Sequence, residues 1–170
     1  MQFKQLIRTG HVARSFYRNY VSSVSVNVKS LKSIRVKSKD FLEPSDEKVK
    51  LTVFDGLQKE VDVSGLTSVV VKSSLDEFKL DCQDGKDLSV VLEVPINSPE
   101  VEIGVKASTS DVFVENLQTK SIKIDVGSGD VSLKNLKSDL IKVETDRGCI
   151  TTKSLLLGKK IFLEAEDGVS

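Results

Sequence analysis

The phrase VGSGDVSLKNLKSDL, Val126–Leu140, is echoed nineteen residues earlier by ASTSDVFVENLQTK and nineteen residues later by TDRGCITTKSLLLG. A fixed period near twenty narrows the possible architectures more than any other feature of the chain. Each repeat must be one supersecondary unit that buries its apolar face only against its neighbours. Aligning the echoes matches Ile103, Val105 and Ala107 with Ile122, Ile124 and Val126, and then with Ile141, Val143 and Thr145; a step of twenty reaches Ile161, Leu163 and Ala165. Within each set the apolar residues alternate with polar ones, the pattern of a strand with one buried face.

A turn follows each strand: Ser108-Thr109-Ser110, Gly127-Ser128-Gly129, Asp146-Arg147-Gly148 and Glu166-Asp167-Gly168. Glycine there relieves the backbone of a tight corner. A second short strand starts at Val112, Val131 and Ile150 and ends at Asn116-Leu117, Asn135-Leu136 and Ser154-Leu155. Two strands and two corners per unit predict an all-β fold, a parallel β-solenoid with rungs about 4.8 Å apart. Val112/Val131/Ile150 and Leu117/Leu136/Leu155 are expected to form inward ladders, with Asn116/Asn135/Ser154 at a corner.

Composition agrees with strands. Only 5% of the residues are aromatic and Trp is absent, so Val, Ile and Leu must build the core, and the β-branched members suit strands. Upstream of the clear repeats, KVKLTVFDG, KEVDVSG, TSVVVKSS, EFKLDCQDG and DLSVVLEVP also read as strands. They are expected to form an irregular or antiparallel portion that covers one edge of the stack. The charged, Pro44-containing stretch Lys37–Glu47 reads as a linker. At the other end, LEAEDGVS stops just past a corner. That suggests a truncated relative or isoform of a longer protein, or an edge covered by another chain.

The formal charge of zero conceals an asymmetry. Residues 1–39 hold nine Lys or Arg and no acid, leaving 16 basic and 25 acidic residues in the rest, a net charge of −9. An acidic body argues against nucleic-acid binding, which depends on neutralising phosphates. No apolar run approaches the roughly 20 residues needed to span a bilayer as a helix.

At the N-terminus, Phe3, Leu6, Ile7, Ala13, Phe16, Tyr17 and Tyr20 fall on one side of a helical wheel, with Lys4, Arg8, His11 and Arg18 on the other. A basic, acid-free amphipathic segment is the signature of a mitochondrial presequence. Cleavage is expected next to Tyr20, within RNYVSS. The alternative is a helix that caps the fold. The expected organisation is a presequence over 1–20, an N-terminal segment and linker over 21–47, and a repeat domain over 48–170.

Chemistry is approached by elimination. The sole histidine, His11, lies in the expected presequence, so the mature chain would lack a histidine base or metal ligand. Two cysteines cannot complete a four-ligand zinc site. Cys82 shares the parity of Phe78 and Leu80 and should be buried, whereas Cys149 replaces Asp130 in the repeat and should sit partly exposed at a corner. GSGD has neither the helix and Lys-Ser/Thr ending of a phosphate loop nor the short period of a calcium repeat. No catalytic residue, cofactor or metal is therefore assigned.

One constellation offers an enzymatic alternative. Asp125, Glu144 and Glu164 share an outward position on successive rungs, about 5 Å apart, a spacing that carboxylate pairs use in glycoside hydrolysis. Against it stand the neighbouring Lys106, Lys123 and Lys142 and the lack of an aromatic sugar platform other than Phe162.

From Leu88 to Ser170, a span that includes VVLEVPINSPEVEIGVKASTSDVFVENL, the chain resembles an adhesin-like domain of unknown function; LEVPINSPEVEIGV and VGSGDVSLKNL carry the likeness. The layout of presequence plus repeat is similar to that of the animal group called family with sequence similarity 185. The resemblance implies a β-solenoid-like fold and transfers no catalytic motif. The expectation is a non-enzymatic scaffold or protein-interaction module of the mitochondrial matrix. It would bind protein partners not specified by the sequence, with self-association possible through its C-terminal rung. A carbohydrate-active or other hydrolase using the carboxylate ladder is the alternative.

Overall fold

The computed structural model describes residues 21–39, 49–74, 76–95 and 99–170. The expected presequence helix over 1–20 and most of the expected linker lie outside the described residues. Among the described residues, alternating apolar side chains form nine strands: β1 (Ser23–Lys39), β2 (Lys50–Phe54), β3 (Glu60–Val61), β4 (Val69–Ser73), β5 (Glu77–Cys82), β6 (Gly85–Pro95), β7 (Glu102–Ser128), β8 (Val131–Arg147) and β9 (Ile150–Ala165). The long strands bend around corners, so each supplies more than one side of a parallel coil.

The stack does not follow chain order. β5 and β6 together make one rung, and β1 lies against both, in parallel. On its opposite edge β1 pairs in parallel with β7, Val24 opposite Ile103 and Ile34 opposite Val112. β7 is long enough to continue the coil on itself: the Lys120 N–H donates to the Val101 carbonyl at 2.9 Å. β8 then stacks on β7, and β9 on β8.

Parallel stacking turns the repeat into ladders through the core. Phe78, Val24, Ile103, Ile122 and Ile141 occupy one such row, every one at most 3% exposed. Val90, Ile34, Val112, Val131 and Ile150 form another, at most 1% exposed. Leu117 and Leu136 are buried as expected, but Leu155 is 52% exposed. A register shift after Lys134 places Leu156, not Leu155, beside Leu136. The final repeat carries one extra residue there, and the run Leu155-Leu156-Leu157 conceals it from a strict nineteen-residue alignment.

The corners explain the repeated polar residues. Asn116, Asn135 and Ser154 have φ of 56°, 51° and 65°, a left-handed conformation that Asn tolerates better than most residues. The Asn135 side-chain amide also donates to Asn116 Oδ1 at 3.0 Å, tying one corner to the next. At the GSGD corner, Gly129 and Gly148 have φ of 146° and 147°. A Cβ on either would collide with a carbonyl of the preceding rung, that of Ser110 or of Gly129. Asp111 Oδ1 accepts from the Asp130 N–H at 3.0 Å, and Asp130 Oδ1 from the Cys149 N–H at 2.9 Å. The aspartate of the phrase is thus a bracket between rungs.

The N-terminal half of the chain takes part in the stack. β1, Ser23–Lys39, within the segment expected to precede the repeat domain, is a full rung in the middle of the stack. The strands upstream of the repeats form the expected irregular, partly antiparallel portion: β2 pairs antiparallel with β6 and β4 with β5, while β5 and β6 pair in parallel with β1. β2 and β4, with the short β3 beside β2, close one end of the coil and bury Val53 and Val69.

If β1 is a rung, its interior should behave like core. Ile34→Ala is expected to lower the unfolding free energy by about 2–5 kcal/mol, as should Ile122→Ala in the evident repeat. Urea denaturation of both variants checks this; a neutral Ile34→Ala would mean that β1 is peripheral.

Candidate functional site

The outward face of the strands that carry Val24–Val28, Ile103–Ala107 and Ile122–Val126 holds the carboxylates singled out in the sequence. The parallel register places Asp125 beside Glu144 and Glu144 beside Glu164. Upstream in the same row stands Lys106, opposite Asn27 of β1. The adjacent outward row brings Lys123 beside Lys142 and Lys142 beside Phe162, with Gly104 opposite Ser25 further along. The small residues Gly104 and Ser25 leave a shallow, open depression of about 580 Å³, bordered by Lys106, Lys123, Asp125, Lys142 and Glu144.

These charges are matched. Lys142 Nζ lies 2.7 Å from Glu144 Oε1, and Lys106 Nζ lies 4.0 Å from Asp125 Oδ2. The ammonium pKa of Lys142 is raised above the ordinary lysine value by its hydrogen bond to Glu144 and that group's charge, with smaller contributions from Glu164 and Asp125. Lys142 is therefore the partner of Glu144, and Lys106 the lysine nearest Asp125. A glycosidase pair keeps one carboxyl in the acid form beside an enclosed substrate; here the carboxylates stand on an open face with a protonated lysine among them. Phe162 lies next to Lys142, 55% exposed.

The remaining chemistry-bearing residues are dispersed. Cys82 is buried, and burial pushes its thiol pKa up, with the Asp84 charge adding to the shift and a backbone hydrogen bond from Asp84 opposing it. Cys149 is exposed at its corner, as its place in the repeat implied. Among the described residues, no group of three His, Cys, Asp or Glu side chains is arranged to hold a metal ion, and His11 lies outside the described residues.

Sequence reasoning missed the contribution of β1 to both outward faces. Ser25 and Asn27 border the depression. On another side of the coil Arg35 pairs with Glu115 at 2.9 Å and lies over the Phe113 ring at 5.0 Å, while Lys37 and Lys39 both approach Glu93. The signal was the strict alternation Val24, Val26, Val28. It lacked the glycine corner and the nineteen-residue neighbour that identified the other rungs.

The second exposed feature is the β9 edge. Ile161 is 39% exposed, and Leu155, Leu157 and Val169 are exposed as well. The chain past Gly168 already begins the next straight segment, with Val169 bridged to Ile150.

A parallel β-coil with charge-matched outer faces and one apolar edge defines a β-solenoid module. The chain belongs to the Toastrack family, DUF4097, whose model matches residues 20–169, from ahead of β1 through the last rung. That family is a domain of unknown function with a β-solenoid-like fold. No curated protein matches the chain.

The Lys142 network predicts a specific pH dependence. Because the folded-state pKa is raised, its stabilisation is fully present below the unfolded lysine value of about 10.4. It is lost as the pH rises through the higher folded value. Lys142→Gln should be less stable than the wild type by a constant margin between about pH 7 and 9, and the margin should shrink as the pH rises past the unfolded lysine value. Paired urea titrations across that range measure it.

Proposed function

We propose that this protein is a non-enzymatic scaffold that presents the rigid sides of its coil to protein partners in the mitochondrial matrix. The observation that carries the non-enzymatic reading is that Glu144 and Asp125 stand beside lysines on an open face. Lys142 pairs with Glu144 and Lys106 approaches Asp125 on an open surface, the arrangement of a solvated charged face and not of an enclosed catalytic pair. Membership of a domain family without an assigned catalytic activity is consistent with it.

The matrix address rests on the sequence. The opening 20 residues are basic, acid-free and amphipathic, which suits a receptor groove and import driven by a negative-inside potential. The similarity of layout to the animal family with sequence similarity 185 points the same way.

Proximity labelling in cells tests address and partners together, using the full chain with a C-terminal tag beside a version lacking residues 1–20. Matrix proteins labelled by the full chain alone support the proposal; cytosolic labelling by both forms contradicts it. Glu144→Gln should leave the labelled set unchanged in a scaffold. Its selective abolition of glycoside hydrolysis by the purified chain would instead establish the hydrolase alternative.

A further inference from the structure

We propose that Lys134 and Lys153 dock an acidic helix of a partner protein, laid along the coil axis with its carboxylates one turn apart. The inference rests on the scaffold reading and assigns its docking face. On the side of the coil that carries Arg35, parallel register sets one outward row as Glu93, Lys37, Glu115, Lys134 and Lys153, with Lys50 of β2 beside Glu93. The sign alternates at every step from Lys50 to Lys134 and then repeats at Lys153. Like charges directly opposite on neighbouring strands destabilise a sheet, so that step works against the fold. No carboxylate of the row relieves it. Glu93 is held by Lys37 and Lys39, and Arg35 takes Glu115 at 2.9 Å. Among the described residues Lys134 and Lys153 form no ion pair, and both are exposed. On the face with the depression Lys123 and Lys142 are likewise neighbours, but there Glu144 sits 2.7 Å from Lys142.

Spacing and surroundings choose the occupant. The two lysines stand on adjacent rungs, about 4.8 Å apart. Side chains at i and i+3 or i+4 of a helix lie about 5–6 Å apart on one face, whereas those at i and i+2 of a strand are about 6.7 Å apart. A helix parallel to the coil axis therefore meets both lysines with successive carboxylates. Beside them Ser132 and Thr151, opposite each other in the next outward row, are short and half-buried, which leaves the helix room to approach. A nucleic acid or an anionic membrane rewards cations spread over a broad area. Here the uncompensated charge is confined to one end of a row that also carries Glu93 and Glu115, and Asp111 and Asp130 stand at the adjacent corner.

Fluorescence anisotropy of the full chain with two labelled, alanine-based helical peptides of about 20 residues tests the proposal. One carries glutamates in i, i+4 pairs along a single face; the other has the same composition with the glutamates spread around the helix. The first should bind about tenfold more tightly. Lys134→Gln combined with Lys153→Gln should weaken that binding about tenfold or more, with an unfolding midpoint no lower than that of the wild type. Lys123→Gln, on the other face, should leave the binding unchanged. Equal affinity for the two peptides, an equal loss in Lys123→Gln, or tighter binding of duplex DNA or phosphatidylserine vesicles would overturn the proposal. In proximity labelling, a set of partners unaltered by the double variant overturns this docking face alone, whereas an empty set for the wild type overturns the scaffold reading with it.

Discussion

The backbone ladder on both edges of β1 holds the molecule together. A strand inserted between β6 and β7 must satisfy two rows of peptide groups at once and fill its place in every core row. Without it, the rung of β5 and β6, with its antiparallel cap, would be separated from the regular repeats of β7, β8 and β9. The corner brackets from Asp111 and Asp130 and the Asn116–Asn135 link set the stagger of the later rungs, but they act on a stack that β1 has already joined.

The regular half of this coil was legible because identical chemistry recurs at an identical spacing. Val112, Val131 and Ile150 are buried, Asn116, Asn135 and Ser154 turn the left-handed corner, and Gly129 and Gly148 sit where a Cβ would strike the rung before. β1 was not legible as a rung because its spatial neighbours are distant in sequence and its corner lacks the glycine signature. Alternation alone shows that Val24, Val26 and Val28 share a buried face, not which strands they lie between. Leu155 misled for a different reason: one added residue in a run of three leucines shifts the inward position to Leu156, and only the backbone register reveals it.

The outward face followed from the same arithmetic. Parallel stacking forces residues of one repeat position into a row, so Asp125, Glu144 and Glu164 had to be neighbours once the period was known. Their chemistry was not fixed by that placement. It is set by the lysines beside them, Lys142 against Glu144 and Lys106 against Asp125. Like charges on neighbouring strands destabilise a row, and here Lys123 and Lys142 of the adjacent row place opposite charge beside it.

The central claim is that β1 is an interior rung, and backbone hydrogen exchange tests it most directly. The account predicts that amides of residues 24–28 and 34–36 exchange as slowly as those of residues 122–126 and 131–134, because all are bonded between two strands in the middle of the stack. Rapid exchange across residues 23–39, alongside full protection of β7 and β8, would contradict it.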